Sequence, residues 1–135
     1  MNNICGVHHI ALNTSDLEKS IKFYTEGLGF KLERTWKNGN NTKTLAMIDI
    51  GSGNKIELFS DCSGTTAYPQ EAGSFIHLAF RVKDTEKAFK RALEYGAAEH
   101  MLPKEMTMPS EPPYHVALSF VKGPDGELLE FFEER

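Results

Sequence analysis

Phe75-Ile76-His77-Leu78-Ala79-Phe80-Arg81-Val82-Lys83-Asp84 is a short alternating apolar run with a histidine inside it and an aspartate at its end. The alternation predicts a β-strand, and an Asp directly after it is suited to open a helix. Val7-His8-His9-Ile10-Ala11-Leu12-Asn13-Thr14-Ser15-Asp16 follows the same plan. His9 precedes Asp16 by the same seven residues that separate His77 from Asp84. A His-strand-Asp-helix unit therefore occurs twice, and the rest of the chain extends each copy.

In the first copy a strand is expected over about residues 4–13. Period-two alternation puts His9, Ala11 and Asn13 on one face and His8, Ile10 and Leu12 on the other. Ser15-Asp16-Leu17-Glu18 reads as a capping box with Ser15 as N-cap. Leu17, Ile21, Tyr24 and Leu28 form one apolar helical stripe, and Gly27 and Gly29 offer the positive φ that ends a helix. An extended segment over 30–36, a turn at Asn38–Asn41, a strand over 44–50, a hairpin loop at 51–54 and a return strand over 55–60 complete a β-α-β-β-β order.

Residues 61–73 read as a connector. In the second copy a helix is expected over about 84–95, with Ala88, Phe89, Ala92, Leu93 and Tyr95 buried and Gly96 closing it. Val116–Val121 is a strand, Gly123-Pro124-Asp125-Gly126 a tight turn, and Glu127–Glu133 the closing strand with Leu128, Glu130 and Phe132 on one face. Residues 99–113 carry Met101, Met106 and Met108 among Pro103, Pro109, Pro112 and Pro113. Two readings fit: an extended strand running into a loop near a site mouth, or a surface loop with incidental methionines. The expected organisation is one domain over 1–135, with module 1 at about 4–60 and module 2 at about 74–135.

Bulk properties narrow the function. The chain has 135 residues, a formal net charge of −4 and no basic tract, which argues against nucleic acid and anionic membrane as main partners. No apolar run approaches the roughly 20 residues a membrane helix needs. The first residues lack the basic and apolar regions of a signal peptide. Cys5 and Cys62 are the two cysteines, with no CxxC spacing, so free thiols in a cytoplasmic protein are expected.

Superposing the copies matches His9 with His77 on the first strands and Glu57 with Glu130 on the last. Glu57 alone could simply face solvent. If the halves pack with pseudo-twofold symmetry, two imidazoles and two carboxylates converge. Such a set suits a divalent metal of intermediate softness, namely Ni, Co, Zn, Mn or Fe, with positions left open for water or substrate.

At these residues the chain resembles a known family. His9-Ile10-Ala11-Leu12, Asp16 through Tyr24, Leu28-Gly29-Phe30, Ile56-Glu57-Leu58, His77 through Val82 with Asp84, and Pro124-Asp125-Gly126 before Leu129-Glu130-Phe131 resemble the vicinal-oxygen-chelate superfamily. Within it they resemble the short bacterial type of glyoxalase I (lactoylglutathione lyase). The resemblance implies an α+β fold of two βαβββ modules whose curved sheets form an open cleft. It implies His9, Glu57, His77 and Glu130 as metal ligands, with Ni or Co favoured over Zn. It further implies a small-molecule thiol adduct as substrate, methylglyoxal detoxification as the setting, and a homodimer. The reaction would convert the hemithioacetal of a 2-oxoaldehyde to a 2-hydroxyacyl thioester through an enediolate, with Glu130 as base and Glu57 its pseudo-symmetric alternative. An epimerase like methylmalonyl-CoA epimerase and a metal-free binding protein of the bleomycin-resistance type are the rivals. The Pro124-Asp125-Gly126 turn speaks against the first, and the full ligand set against the second.

Two positions depart from the pattern. Asn13 stands where glyoxalase I has an Arg that holds the glutathione carboxylate, and Asp61 where it has an Asn. Both changes weaken the hold on an anionic tripeptide and point to another low-molecular-weight thiol or carbonyl substrate. Among the remaining residues, His8 is the competitor for the role of His9. It is expected on the opposite face, packed against the helix. His100 and His115 have no partner pattern and are expected to be structural or exposed. Cys62 could lie near the pocket, though a nucleophile would need an adjacent base. Trp36, Phe59 and Met106 either line an apolar pocket or pack in the core.

Overall fold

Alternating apolar residues become ladders in both halves of the chain. The computed structural model describes residues 6–62, 72 and 75–135, and it divides into two units, Met1–Gly64 and Thr65–Arg135. Cys5 and most of the expected connector lie outside the described residues.

The first unit contains β1 (His9–Asn13), α1 (Leu17–Lys22), a π-helical turn (Phe23–Gly27), β2 (Lys31–Lys37), β3 (Thr44–Gly51) and β4 (Asn54–Phe59). Its sheet runs β1-β4-β3-β2, with β1 parallel to β4 and the other pairs antiparallel. The second unit repeats this with β5 (Leu78–Arg81), α2 (Thr85–Glu94), β6 (Ala98–Met108), β7 (Tyr114–Lys122) and β8 (Leu128–Glu134), in the order β5-β8-β7-β6. The fold is α+β, two βαβββ modules each built on a four-stranded mixed sheet.

One face of each sheet is covered by helix. In the first unit Ala46, Ile48, Ile56 and Leu58 are at most 1% exposed, and Phe23 and Tyr24 are buried with them. In the second, Phe89 and Ala92 of α2 are buried together with Ala117, Val121, Leu129 and Phe131. Thr85 is buried at the head of α2, its hydroxyl 3.0 Å from that of Ser119 and donating to the Phe131 carbonyl at 3.2 Å. These bonds satisfy polar groups that burial would otherwise penalise.

Several local expectations need correction. The N-cap of α1 is Asp16 rather than Ser15. Its backbone is extended and its Oδ1 accepts from the Lys19 amide at 3.0 Å. Asp84 caps α2 identically, accepting from the Lys87 amide at 2.9 Å. The fully buried positions of the first helical segment are Ser20, Phe23, Tyr24 and Gly27; of the expected stripe Leu17, Ile21, Tyr24 and Leu28, Tyr24 is buried and the other three are half-buried. Gly27 lies inside the π-helical turn, so the left-handed stop falls on Gly29 alone, at φ 79°. Of the two readings of residues 99–113, the strand running into a loop is the one observed, with the strand over 98–108 including Pro103. β6 is an edge strand, where a missing N–H costs no ladder bond, and its register shifts between Met101 and Lys104.

Candidate metal site

In both units the candidate Glu lies opposite an alanine that follows the candidate His by two. Ala11 pairs with Glu57 and Ala79 with Glu130, each across a parallel ladder. Partners across a ladder share a face, and the side-chain period of two carries His9 onto the face of Ala11. His77 precedes β5 by one residue, and its ring reaches the face of Glu130. The faces read from alternation are therefore the faces observed.

The second unit brings its two candidates into contact. His77 Nε2 lies 3.0 Å from Glu130 Oε2, with the Glu130 side chain 9% exposed and that of His77 35%. A His77 N–H donating to this buried carboxylate satisfies it. Phe120, in register with Glu130, sets its ring edge-on to His77 at 5.3 Å between centroids. That contact limits the imidazole to a few orientations. Donors on adjacent vertices of an octahedron, each about 2.1 Å from the metal, stand about 3.0 Å apart. With that His77 proton displaced, the spacing of His77 Nε2 and Glu130 Oε2 fits two adjacent ligands of one ion.

In the first unit the corresponding face carries His9, Ala11 and Asn13 on β1, then Lys55, Glu57 and Phe59 on β4. Leu45, Met47 and Asp49 of β3 continue it, followed by Arg34 and Trp36 of β2. Trp36 and Phe59 therefore line the Glu57 face instead of the core beneath the helix. Lys55, opposite His9, bonds Glu33 at 2.6 Å. That hydrogen bond holds the Glu33 carboxyl below the usual carboxylate range. Glu57 is half-buried.

His8 is exposed, not packed against the helix. Its Nδ1 lies 2.9 Å from His9 Nδ1. It precedes β1, and alternation governs only residues inside a ladder. The adjacency of the two histidines in sequence is the signal of this contact. Within neither unit do three or more His, Cys, Asp or Glu side chains gather as a ligand cluster among the described residues. No helix among them is long and apolar enough to cross a membrane.

Other singled-out residues find ordinary partners. His100 and His115 are exposed, the latter bonded to the Thr107 hydroxyl at 2.9 Å. Cys62 is half-buried, with its Sγ 3.3 Å from Lys43 Nζ. Asp61 is exposed and accepts from the Ser60 hydroxyl at 2.8 Å. Asn13 is exposed on the Glu57 face. Met106, opposite Val116, lies on the face of Phe120 and Glu130 and is 37% exposed.

The chain as a whole is similar to known proteins. Residues 6–131 match the family described as the Glyoxalase/Bleomycin resistance protein/Dioxygenase superfamily. The chain belongs to this superfamily. It is 36% identical to a protein of Vibrio parahaemolyticus named probable lactoylglutathione lyase, over 94% of this chain and 89% of that one. Among superfamily structures, a glyoxalase family protein from Enterococcus faecalis superposes with a TM-score of 0.75 at 25% identity, covering 96% of this chain and 98% of that one. The glyoxalase I of Leishmania major, described as trypanothione-dependent, superposes with a TM-score of 0.68 at 27% identity, covering 96% and 86%.

Proposed function

We propose that this protein is a metal-dependent lyase of the glyoxalase I type. It would convert the hemithioacetal of a 2-oxoaldehyde and a small thiol to the 2-hydroxyacyl thioester. The observation that carries this is the His77–Glu130 donor pair at 3.0 Å, with His9 and Glu57 at the repeat-equivalent strand positions. His9, Glu57, His77 and Glu130 would hold the ion. The metal, when bound, supplies Lewis acidity that stabilises negative charge on the substrate's two neighbouring oxygens.

The rest of the chemistry belongs to side chains. Glu130 takes the proton from the carbon bearing sulfur and returns it to the adjacent carbon, so no atom is gained or lost. Its burial excludes water that would compete for that proton. Phe120 and the His77 contact keep the carboxylate in place. Glu57 is the pseudo-symmetric alternative base.

Asn13 in place of an Arg and Asp61 in place of an Asn weaken the hold on glutathione and leave another small thiol as a candidate carrier. The Leishmania major neighbour, described as dependent on trypanothione, supports a change of carrier on this fold. The test is turnover of methylglyoxal with a panel of low-molecular-weight thiols, followed by thioester absorbance. We expect activity that disappears on chelation and returns with Ni or Co better than with Zn. Undiminished turnover by metal-free protein would refute the proposal.

A further inference from the structure

We infer that His8 is a positioning residue for His9, holding it in the tautomer that leaves Nε2 free to bind a metal. This rests on the metal reading above. The two Nδ1 atoms are 2.9 Å apart, and the rings meet edge to face at 86° with centroids 5.2 Å apart. Two imidazole nitrogens at that distance cannot both carry a lone pair towards each other, nor both a proton. One ring donates Nδ1–H and the other accepts.

The choice decides which ring can be a ligand. If His9 donates, its proton sits on Nδ1 and its Nε2 keeps a lone pair. His8 then carries its own proton on Nε2 and is no ligand through that atom. If His8 donates, the assignment reverses and His9 presents N–H where a metal would need a lone pair. His9 is the ring carried on β1 beside Ala11 and across from the Glu57 strand, so the first arrangement is the productive one. A metal-binding histidine commonly donates its second nitrogen to an acceptor that fixes tautomer and ring direction. His8 is well held for that task, since its carbonyl accepts the Lys55 amide at 3.0 Å and ties its backbone to β4.

The two modules differ here. The residue before His77 is Ile76, whose side chain offers no acceptor. In the second unit orientation comes from the Phe120 edge and from Glu130 instead. The His8–His9 pair is thus specific to one half of the repeat, and nothing in the duplication itself requires it.

The experiment is a competition titration of Co(II) against a chromophoric chelator, using the intact chain. The parent is compared with His8→Phe, His8→Asn and His9→Ala. His8→Phe keeps a ring but has no acceptor, and we expect Co(II) affinity to fall about 10- to 100-fold. His8→Asn restores a carbonyl acceptor and should recover much of that loss. His9→Ala should lose more than either. If His8→Phe binds like the parent while His9→Ala does not, the inference about His8 fails and the metal reading stands. If His9→Ala also binds like the parent, the metal reading itself fails. If His8→Phe loses the metal and His9→Ala keeps it, the roles are reversed and the inference is overturned. A second readout needs no variant. Long-range proton–nitrogen NMR of the metal-free parent should find His9 protonated on Nδ1 and His8 on Nε2, and the opposite pattern would overturn the assignment.

Discussion

Glu130 is 7% exposed, and the partner of its carboxylate is a histidine ring rather than a fixed cation such as Arg or Lys. That makes it suited to serve as a ligand and also to move a proton. Glu130→Gln keeps the size and one oxygen donor and removes the base. We expect it to retain a weakened metal site and to lose about 10²- to 10⁴-fold in kcat, the usual contribution of a general base. Glu57→Gln, on the half-buried equivalent, should be milder if Glu130 does most of the work. Metal content and kcat measured together on both variants separate the two roles. Parent-like turnover by Glu130→Gln would remove the proton shuttle.

A second residue-scale prediction concerns Tyr114. Its hydroxyl donates to Glu134 Oε1 at 2.7 Å, and that bond raises its pKa above the ordinary 10.0. A raised value means that the bond stabilises the fold below the ordinary pKa and ceases to do so as pH climbs through the raised one. Glu134→Gln should bring one tyrosine back to lower pH in an absorbance titration. An unchanged curve would contradict the pairing.

At the scale of elements, the two helices start alike and end differently. Asp16 and Asp84 both accept the amide three residues on, and Asp84→Ala should cost about 1 kcal/mol, read as a lowered denaturation midpoint with unchanged slope. A shift within error would mean that the cap is replaced by solvent.

The strands were highly legible, because a period of two leaves each side chain only two faces. His9 with Glu57 and His77 with Glu130 follow from that rule once the repeat is seen. The helix start was misplaced by one residue because Ser15 and Asp16 are both good caps and spacing cannot choose between them. Ser20, Phe23, Tyr24 and Gly27 keep an ordinary helical spacing, and only the side chains' small size at Ser20 and Gly27 hides that face from a search for apolar residues. Pro103 leaves the strand and loop readings of 99–113 even, because its tolerance depends on edge position, which is a property of the sheet and not of the segment. The contact between His8 and His9 was hidden for a related reason, as it lies just outside the ladder that alternation describes.

For the whole molecule, what matters is that each unit's strands are held by backbone ladders and by buried apolar side chains. Ile48, Ile56 and Leu58 in one unit, and Val116, Val121 and Leu129 in the other, are buried beside strands paired by backbone bonds. His9, Glu57 and Glu130 lie within these ladders and His77 one residue before β5, so the core should position them. Chelator-treated protein should therefore keep its far-ultraviolet circular dichroism, unlike small domains that the metal itself folds.

The most direct test of the central claim is elemental analysis of Ni(II) retained after loading and desalting. It would be run on the parent and on His9→Ala, Glu57→Ala, His77→Ala and Glu130→Ala. A four-ligand site should keep close to one equivalent per chain in the parent and show a marked loss in all four folded variants. A parent that retains no metal, or a loss confined to the His77 and Glu130 variants, would contradict it.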